Sequence, residues 1–251
     1  MPESNTEPFE RLQLLAGTNH VVQMQKRHAI VLGLGGVGSY VVEALVRGGI
    51  GHITVVDPDC SASGNINRQL YALYPDIGQP KVELAARRCH AINPQLDITT
   101  LQLNYSDATA AYILGPPADC VFDCIDTISA KIDLIERCTN AKIPLISSMG
   151  AGNKTDPSQI KVDDIFATTI CRLARIIRKE LRRRGVDAEV PVVYSTEEFR
   201  PLHQAPSQRR TGSDWCKAPL GTCSYIPPLF GYAMAGHMLQ QWIKHDMPAA
   251  K

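Results

Sequence analysis

The residues Gly33-Leu-Gly-Gly-Val-Gly38 follow a short apolar run, His28 to Leu32, and precede a stretch with helical spacing. Glycines at such a junction let the backbone turn tightly and let a phosphate or ribose approach the free N–H groups of the helix that follows. By itself the loop serves dehydrogenases and ATP users alike. Asp57 closes a second apolar run 19 residues past Gly38, where a carboxylate can accept hydrogen bonds from ribose hydroxyls. The chemistry narrows with Asn65, Arg68 and Gln69, then Gly78-Gln-Pro-Lys81, then Asp123-Cys-Ile-Asp126. A nicotinamide-dependent oxidoreductase resting on the glycine loop leaves that arginine, lysine and second carboxylate unexplained. Nucleotidyl transfer needs them, because a triphosphate must be held by cations and a carboxylate-bound Mg²⁺ while charge moves to the leaving pyrophosphate. Taken singly, Arg68 reads as a surface cation, Lys81 as a solvated helix start and Asp126 as a helix cap. In this order on these elements they point to ATP and Mg²⁺.

The elements that must position these residues alternate. Strands are expected at 28–32, 53–56, 98–103, 120–122 and 143–147, and helices at 37–47, 79–92 and 127–141. Such alternation implies right-handed crossovers and an α/β, Rossmann-like, doubly wound and mainly parallel sheet with helices on both faces. After Gly150 the pattern changes to a strand at 160–162, a basic helix at 168–184 and a strand at 190–194. A proline- and glycine-bearing stretch at 199–219 reads as a mobile surface loop, and a final helix at 224–244 is interrupted near its start by Pro227-Pro228. The reading is a single domain over 1–251: an ATP-binding core at 10–150, a C-terminal insertion at 151–223 carrying the basic helix, and the last helix.

With 251 residues and 44% hydrophobic composition the chain can bury a substantial core, which excludes a disordered tail or a fibrous protein. The polar, acidic start gives no export signal, and the most apolar stretch, 29–46, is broken by glycines and Glu43, so a cytoplasmic protein without a membrane span is expected. The eight cysteines contain no Cys-x-x-Cys pair, so reduced thiols are expected and no zinc. The histidines show no ligand spacing. The net charge of +1 hides seven basic residues between Arg172 and Arg184 against one acid, Glu180, on an otherwise acidic chain. Arg172, Arg175, Lys179 and Arg182, with Arg183 alongside, share one helical stripe, while Ile170, Leu173, Ile177 and Leu181 share another. Together with Arg178 the basic stripe suits an RNA backbone; Arg200, Arg209, Arg210 and Lys217 could extend it, and Tyr194 or Trp215 could stack on a base. A solvated charged face would instead carry interspersed acids.

The ordered set Gly33 to Gly38, Asp57, Asn65-x-x-Arg68-Gln69, Gly78-Gln-Pro-Lys81 and Asp123-Cys-Ile-Asp126 resembles the ubiquitin-activating-type adenylyltransferases, whose members include activators of sulfur-carrier proteins. The resemblance covers about residues 10 to 150. It implies that Gly33, Gly35, Gly36 and Gly38 cradle the nucleotide and Asp57 holds the ribose. Asn65, Arg68, Gln69 and Lys81 would take the phosphates, Asp126 the Mg²⁺ or the reacting phosphate, and Arg11 would reach into the partner's ATP site of a homodimer. Arg11, Arg68, Lys81 and Asp126 would then carry catalysis. The 147–165 segment, the basic helix and Val193-Tyr-Ser-Thr-Glu197 are similar to the tRNA threonylcarbamoyladenosine dehydratases within that family, and the two zinc-binding Cys-x-x-Cys pairs usual in sulfur-carrier activators are absent. The resemblance implies adenylation and cyclisation of a threonylcarbamoyl group on tRNA. A sulfur-transfer or acceptor protein partner stays open, as does activation of a protein or peptide carboxyl terminus. Some relatives pass the acyl group to a cysteine, which makes Cys216 and Cys223 candidate thiols. A non-catalytic scaffold would have no need of the complete phosphate-handling set.

Overall fold

A computed structural model describes residues 7–198 and 220–247. The expected loop at 199–219, with Cys216, Trp215, Arg200, Arg209, Arg210 and Lys217, lies outside the described residues. The elements run α1 (Glu10–Met24), β1 (His28–Leu32), α2 (Gly38–Arg47), β2 (His52–Val56), α3 (Lys81–Ile92), β3 (Asp97–Leu101), α4 (Asp107–Leu114), β4 (Cys120–Asp123), α5 (Ile128–Asn140), β5 (Leu145–Ser148), β6 (Ile160–Asp164), α6 (Arg172–Arg183), β7 (Pro191–Ser195) and α7 (Ile226–Asp246). The seven strands form one sheet in the order β3-β2-β1-β4-β5-β7-β6. All neighbouring strands pair parallel except β6, which lies antiparallel to β7 at the edge.

Strand alternation makes the two faces. Ala29 and Val31 point into a core built with α2, α3 and α7, through Val41, Leu45, Val82, Ala85, Phe230 and Met234. Ile30 and Leu32 point the other way, into a core built with α4, α5 and α6, through Ile113, Leu134, Ile135, Ala174, Ile177 and Leu181. Burial on both faces is why these strands read as continuous apolar runs.

Two helices escape the sequence reading, and several boundaries differ by a few residues. In α1 the buried residues are Ala16, His20, Val21 and Met24, while Leu14 and Leu15 are 89% and 74% exposed, so no apolar stripe marks the helix. The eight-residue α4 is too short for a periodic signal. The basic helix starts at Arg172 rather than 168, because Ile170 at φ +60° breaks helical geometry. Pro227 and Pro228 do not interrupt α7: they occupy its first turn, where an amide hydrogen has no intrahelical acceptor to lose. Tyr194 is buried in β7, in the core against α5 and α6, which removes it as a base-stacking group.

α7 is tied back to the start of the chain. The Arg27 guanidinium donates to both carboxylate oxygens of Asp246, each at 2.7 Å, and lies 5.1 Å from the Trp242 ring centroid. His20 Nδ1 sits 2.7 Å from the same carboxylate. Burial pushes the Asp246 carboxyl up, but hydrogen bonds from Arg27, His20 and His245 outweigh it and hold the group well below the usual carboxylate range. Replacing Asp246 by Asn leaves Arg27 half-paired and is expected to cost about 3 kcal/mol at pH 7 by denaturant unfolding. The pairing contributes fully above the unfolded carboxyl value near pH ~4, so the gap between the two proteins should narrow as pH falls below that point.

Candidate active site

In a doubly wound sheet the ligand crevice opens at the carboxyl ends of the strands where the chain reverses its winding, here between β1 and β4. The 33–38 turn leaves β1 on one side and the 124–126 turn leaves β4 on the other. They lie against each other. Gly33 has φ +89°, and a Cβ there would stand 2.6 Å from the Cys124 carbonyl oxygen; one on Gly38 would stand 1.8 Å from the Gly33 carbonyl oxygen. These two glycines are therefore required by packing. Gly35 is different: its Cβ would meet only Gln69 Nε2, at 3.8 Å, so the missing side chain keeps open space on the crevice side. Val37, the cap residue of α2, offers no side-chain acceptor; the Ser39 and Tyr40 amides donate instead to the Gly35 and Val37 carbonyls at 3.2 and 3.0 Å, and the positive end of the helix dipole faces the crevice.

The predicted residues gather around this turn, with partners of their own. Asp57, buried at the end of β2, accepts from the Leu34 amide at 2.6 Å and the Asp59 amide at 2.9 Å, so it braces the glycine turn. Burial raises its carboxyl above the ordinary value, against the opposing pull of Lys81 and the two amides. Lys81, buried in the first turn of α3, donates to Asp59 at 2.8 Å and lies 3.5 Å from Asp57. Asp59 is 66% exposed at its side chain, so this partner can be exchanged for another anion. Asn65 Oδ1 accepts from the Ala62 amide, and the Asn65 carbonyl accepts from the amides of Arg68 and Gln69. That short turn lays Arg68 against Gly36, whose Cβ would come within 3.2 Å of the arginine side chain. The Arg68 guanidinium donates to the Gly64 carbonyl and to Asn67 Oδ1, both at 2.9 Å. Asp126 is exposed on the 124–126 turn and is no helix cap: Thr127 occupies that position without a side-chain bond.

Two predicted groups stand apart. Arg11 is exposed on α1 and makes no hydrogen bond or ion pair with the described residues. Cys223 donates from Sγ to the Lys154 carbonyl at 3.5 Å, while the neighbouring Thr222 carbonyl accepts from Asn67, which sets this segment beside Arg68. The seven described cysteines are free thiols, and among the described residues no cluster of His, Cys, Asp and Glu could hold a metal by itself. Mg²⁺ needs no such cage: it takes one or two carboxylates plus phosphate oxygens and waters, a set that the single exposed Asp126 fits.

The basic helix divides its charges. Arg172, Arg175, Lys179 and Arg182 are exposed, with Arg182 lying over the Phe166 ring at 5.4 Å. Arg178 turns inward instead, donating to the Thr168 hydroxyl at 2.6 Å and carbonyl at 2.7 Å, and so holds the turn before the helix. Arg183 pairs with Glu180, and Arg184 with Glu136 and Glu180; hydrogen bonds from both arginines hold the Glu180 carboxyl at about 2. No sequence signal separated Arg178 from its neighbours, because the turn that it anchors is defined only by tertiary packing.

The ThiF family model matches residues 10–251. The chain belongs to the ThiF family. It is 36% identical over 241 residues to the tRNA threonylcarbamoyladenosine dehydratase of Bacillus subtilis, an alignment that covers 94% of each protein. The crystal structure of the Escherichia coli tRNA N6-threonylcarbamoyladenosine dehydratase in complex with ATP superposes with a TM-score of 0.86 at 30% identity, over 97% of this chain and 96% of that one. The molybdopterin-synthase adenylyltransferase of Escherichia coli is 33% identical over 124 residues, about half of each chain. This ThiF-family chain thus matches the tRNA enzymes over nearly its whole length and the molybdopterin-synthase adenylyltransferase over about half of it. Among its described residues no helix is long and apolar enough to cross a membrane.

The two kinds of glycine make a direct test. Gly38→Ala should fail to fold or melt far below wild type, because the new methyl overlaps a backbone oxygen. Gly35→Ala should keep its melting temperature and bind ATP about tenfold more weakly by calorimetry, since only the ligand's space is filled.

Proposed function

We propose that this chain is an ATP-dependent tRNA threonylcarbamoyladenosine dehydratase. The observation that carries the reading is end-to-end similarity to such enzymes, one of them solved with ATP, joined to a crevice built around an open glycine turn. A carboxylate is a poor electrophile because its oxygen leaves badly. Attack of the threonylcarbamoyl carboxylate on the α-phosphate of ATP breaks the bond to pyrophosphate and forms an acyl adenylate. The carbamoyl group of the same substrate then closes on the activated carbon and AMP departs; the nucleoside has lost one water overall. Ring closure within one molecule brings a high effective molarity, so no enzyme nucleophile is required. Cys223, beside Arg68, remains the described thiol placed to receive the acyl group if a thioester intervenes.

In this proposal residues 10–150 bind ATP and 151–223 meet the tRNA. Lys81 exchanges Asp59 for phosphate, Arg68, Asn65 and Gln69 line the phosphate path, and Asp57 lends its remaining lone pairs to the ribose. Mg²⁺ held by Asp126 would neutralise charge on the departing pyrophosphate. A homodimer, in which Arg11 completes the site of a second copy, accords with its solvent-facing place beside the exposed Leu14 and Leu15. For the alternative, activation of a sulfur-carrier or peptide carboxyl terminus, the sequence similarity to the molybdopterin-synthase adenylyltransferase covers about half of the chain.

Incubating the protein with ATP, Mg²⁺ and tRNA bearing threonylcarbamoyladenosine should yield AMP and a nucleoside lighter by one water on mass spectrometry under mild conditions. Arg68→Ala and Lys81→Ala should abolish this turnover in folded protein. An unchanged nucleoside beside vigorous ATP–pyrophosphate exchange with another carboxylate would move the substrate to a protein or peptide. For the RNA face, Arg175→Glu combined with Lys179→Glu should weaken tRNA binding and reduce the slope of log affinity against log salt by about one unit per lost phosphate contact. An unaltered slope would return the helix to a solvated surface.

A further inference from the structure

Beneath the crevice lies an ion pair with almost no contact to water: Lys131 is 1% exposed and Asp123 0%. Lys131 Nζ donates to Asp123 Oδ2 at 2.7 Å, to the Asp123 carbonyl at 3.4 Å and to Ser147 Oγ at 3.2 Å, and Ser147 Oγ donates to the same carboxylate oxygen at 2.6 Å. The other carboxylate oxygen accepts from the Ile125 amide at 3.2 Å. Asp123 is the last residue of β4, in register with Leu32 of β1 and Ser147 of β5, so the triad spans the strand ends at the floor of the site.

We propose that Lys131 and Ser147 are positioning residues that fix where Asp126 presents its carboxylate to the Mg²⁺–nucleotide, an inference that rests on the ATP-using reading above. The Asp126-bearing turn runs from Asp123 to Ile128, and Lys131 staples its two ends. Its side chain holds Asp123, while its amide donates to the Thr127 carbonyl at 3.0 Å. Among the described residues Asp126 has one weak hydrogen bond, from the Thr127 hydroxyl at 3.5 Å, so its place follows from the backbone that carries it. That backbone also abuts Gly33, through the Cys124 carbonyl. Stability is a poor reason for the pair, because an apolar pair of equal volume is often as stable as a buried salt bridge. A rigid hold on the turn, with two charges sealed away from the nucleotide, is what the ionic version supplies. Groups that orient a metal-binding carboxylate commonly change metal affinity by about 10- to 100-fold when lost.

The full-length protein is titrated with ATP at a series of Mg²⁺ concentrations, and AMP binding is measured without Mg²⁺. Lys131→Met is expected to need about tenfold more Mg²⁺ for half-maximal ATP tightening, with AMP affinity within about twofold of wild type. A folded Lys131→Met protein with wild-type Mg²⁺ dependence overturns the proposal. If that variant does not fold, Ser147→Ala decides. A Mg²⁺ midpoint raised about threefold with unchanged AMP affinity supports the proposal, and an unmoved midpoint overturns it. The readout is binding of ATP, so wild-type protein that binds Mg²⁺–ATP yet leaves the tRNA nucleoside unchanged overturns the substrate assignment alone. Wild-type protein that binds no ATP overturns both.

Discussion

The structure depends on one close approach: the backbone turn after β1 lies directly against the backbone turn after β4. Gly33 permits it, since any Cβ there would enter the Cys124 carbonyl, and Gly38 permits the return of the chain into α2. The approach closes the floor of the crevice at the place where the sheet reverses its winding. Asp57 reinforces it from the β2 side by accepting the Leu34 amide, and the Asp123–Lys131–Ser147 triad from the β4 and β5 side. The glycines shape the site, and carboxylates hold it in that shape.

The charges sort by how far they are from water. Asp123 and Lys131 pair with one another, share Ser147 as a further partner and are sealed in, which suits a task of holding position. Lys81 is buried too, but its partner Asp59 is largely exposed and can yield its place to a phosphate without leaving an unpaired buried charge. Among the described residues Arg68 bonds to a loop carbonyl and a neighbouring amide oxygen, both neutral acceptors that a charged anion can displace. A graded commitment of this kind lets the pocket be ordered before ligand arrives and still exchange partners when it does.

The basic helix follows the same logic on the opposite face of the sheet. Ala174, Ile177 and Leu181 bury it, Arg178 and Arg184 anchor it to neighbouring segments, and Arg175, Lys179 and Arg182 are left facing outward. A run of seven basic residues therefore leaves a smaller outward-facing set than its composition implies.

The amino-acid sequence by itself determined the alternation of strands and helices, because burial on both faces forces continuous apolar runs, and it determined the glycine turn and the order of the polar residues gathered around it. It also carried a signal for Lys131, a charged residue in phase with Ile128, Ile132 and Ile135 on an otherwise apolar stripe of α5. It did not disclose α1, whose leucines face solvent, nor that Pro227 and Pro228 open α7, nor that Tyr194 is core. Only the tertiary structure decided which carboxylate braces and which stays open: Asp57, Asp59, Asp123 and Asp126 are chemically alike in the chain. Their roles differ because the sheet places one under a glycine turn, one at the rim, one against a buried lysine and one on an exposed loop.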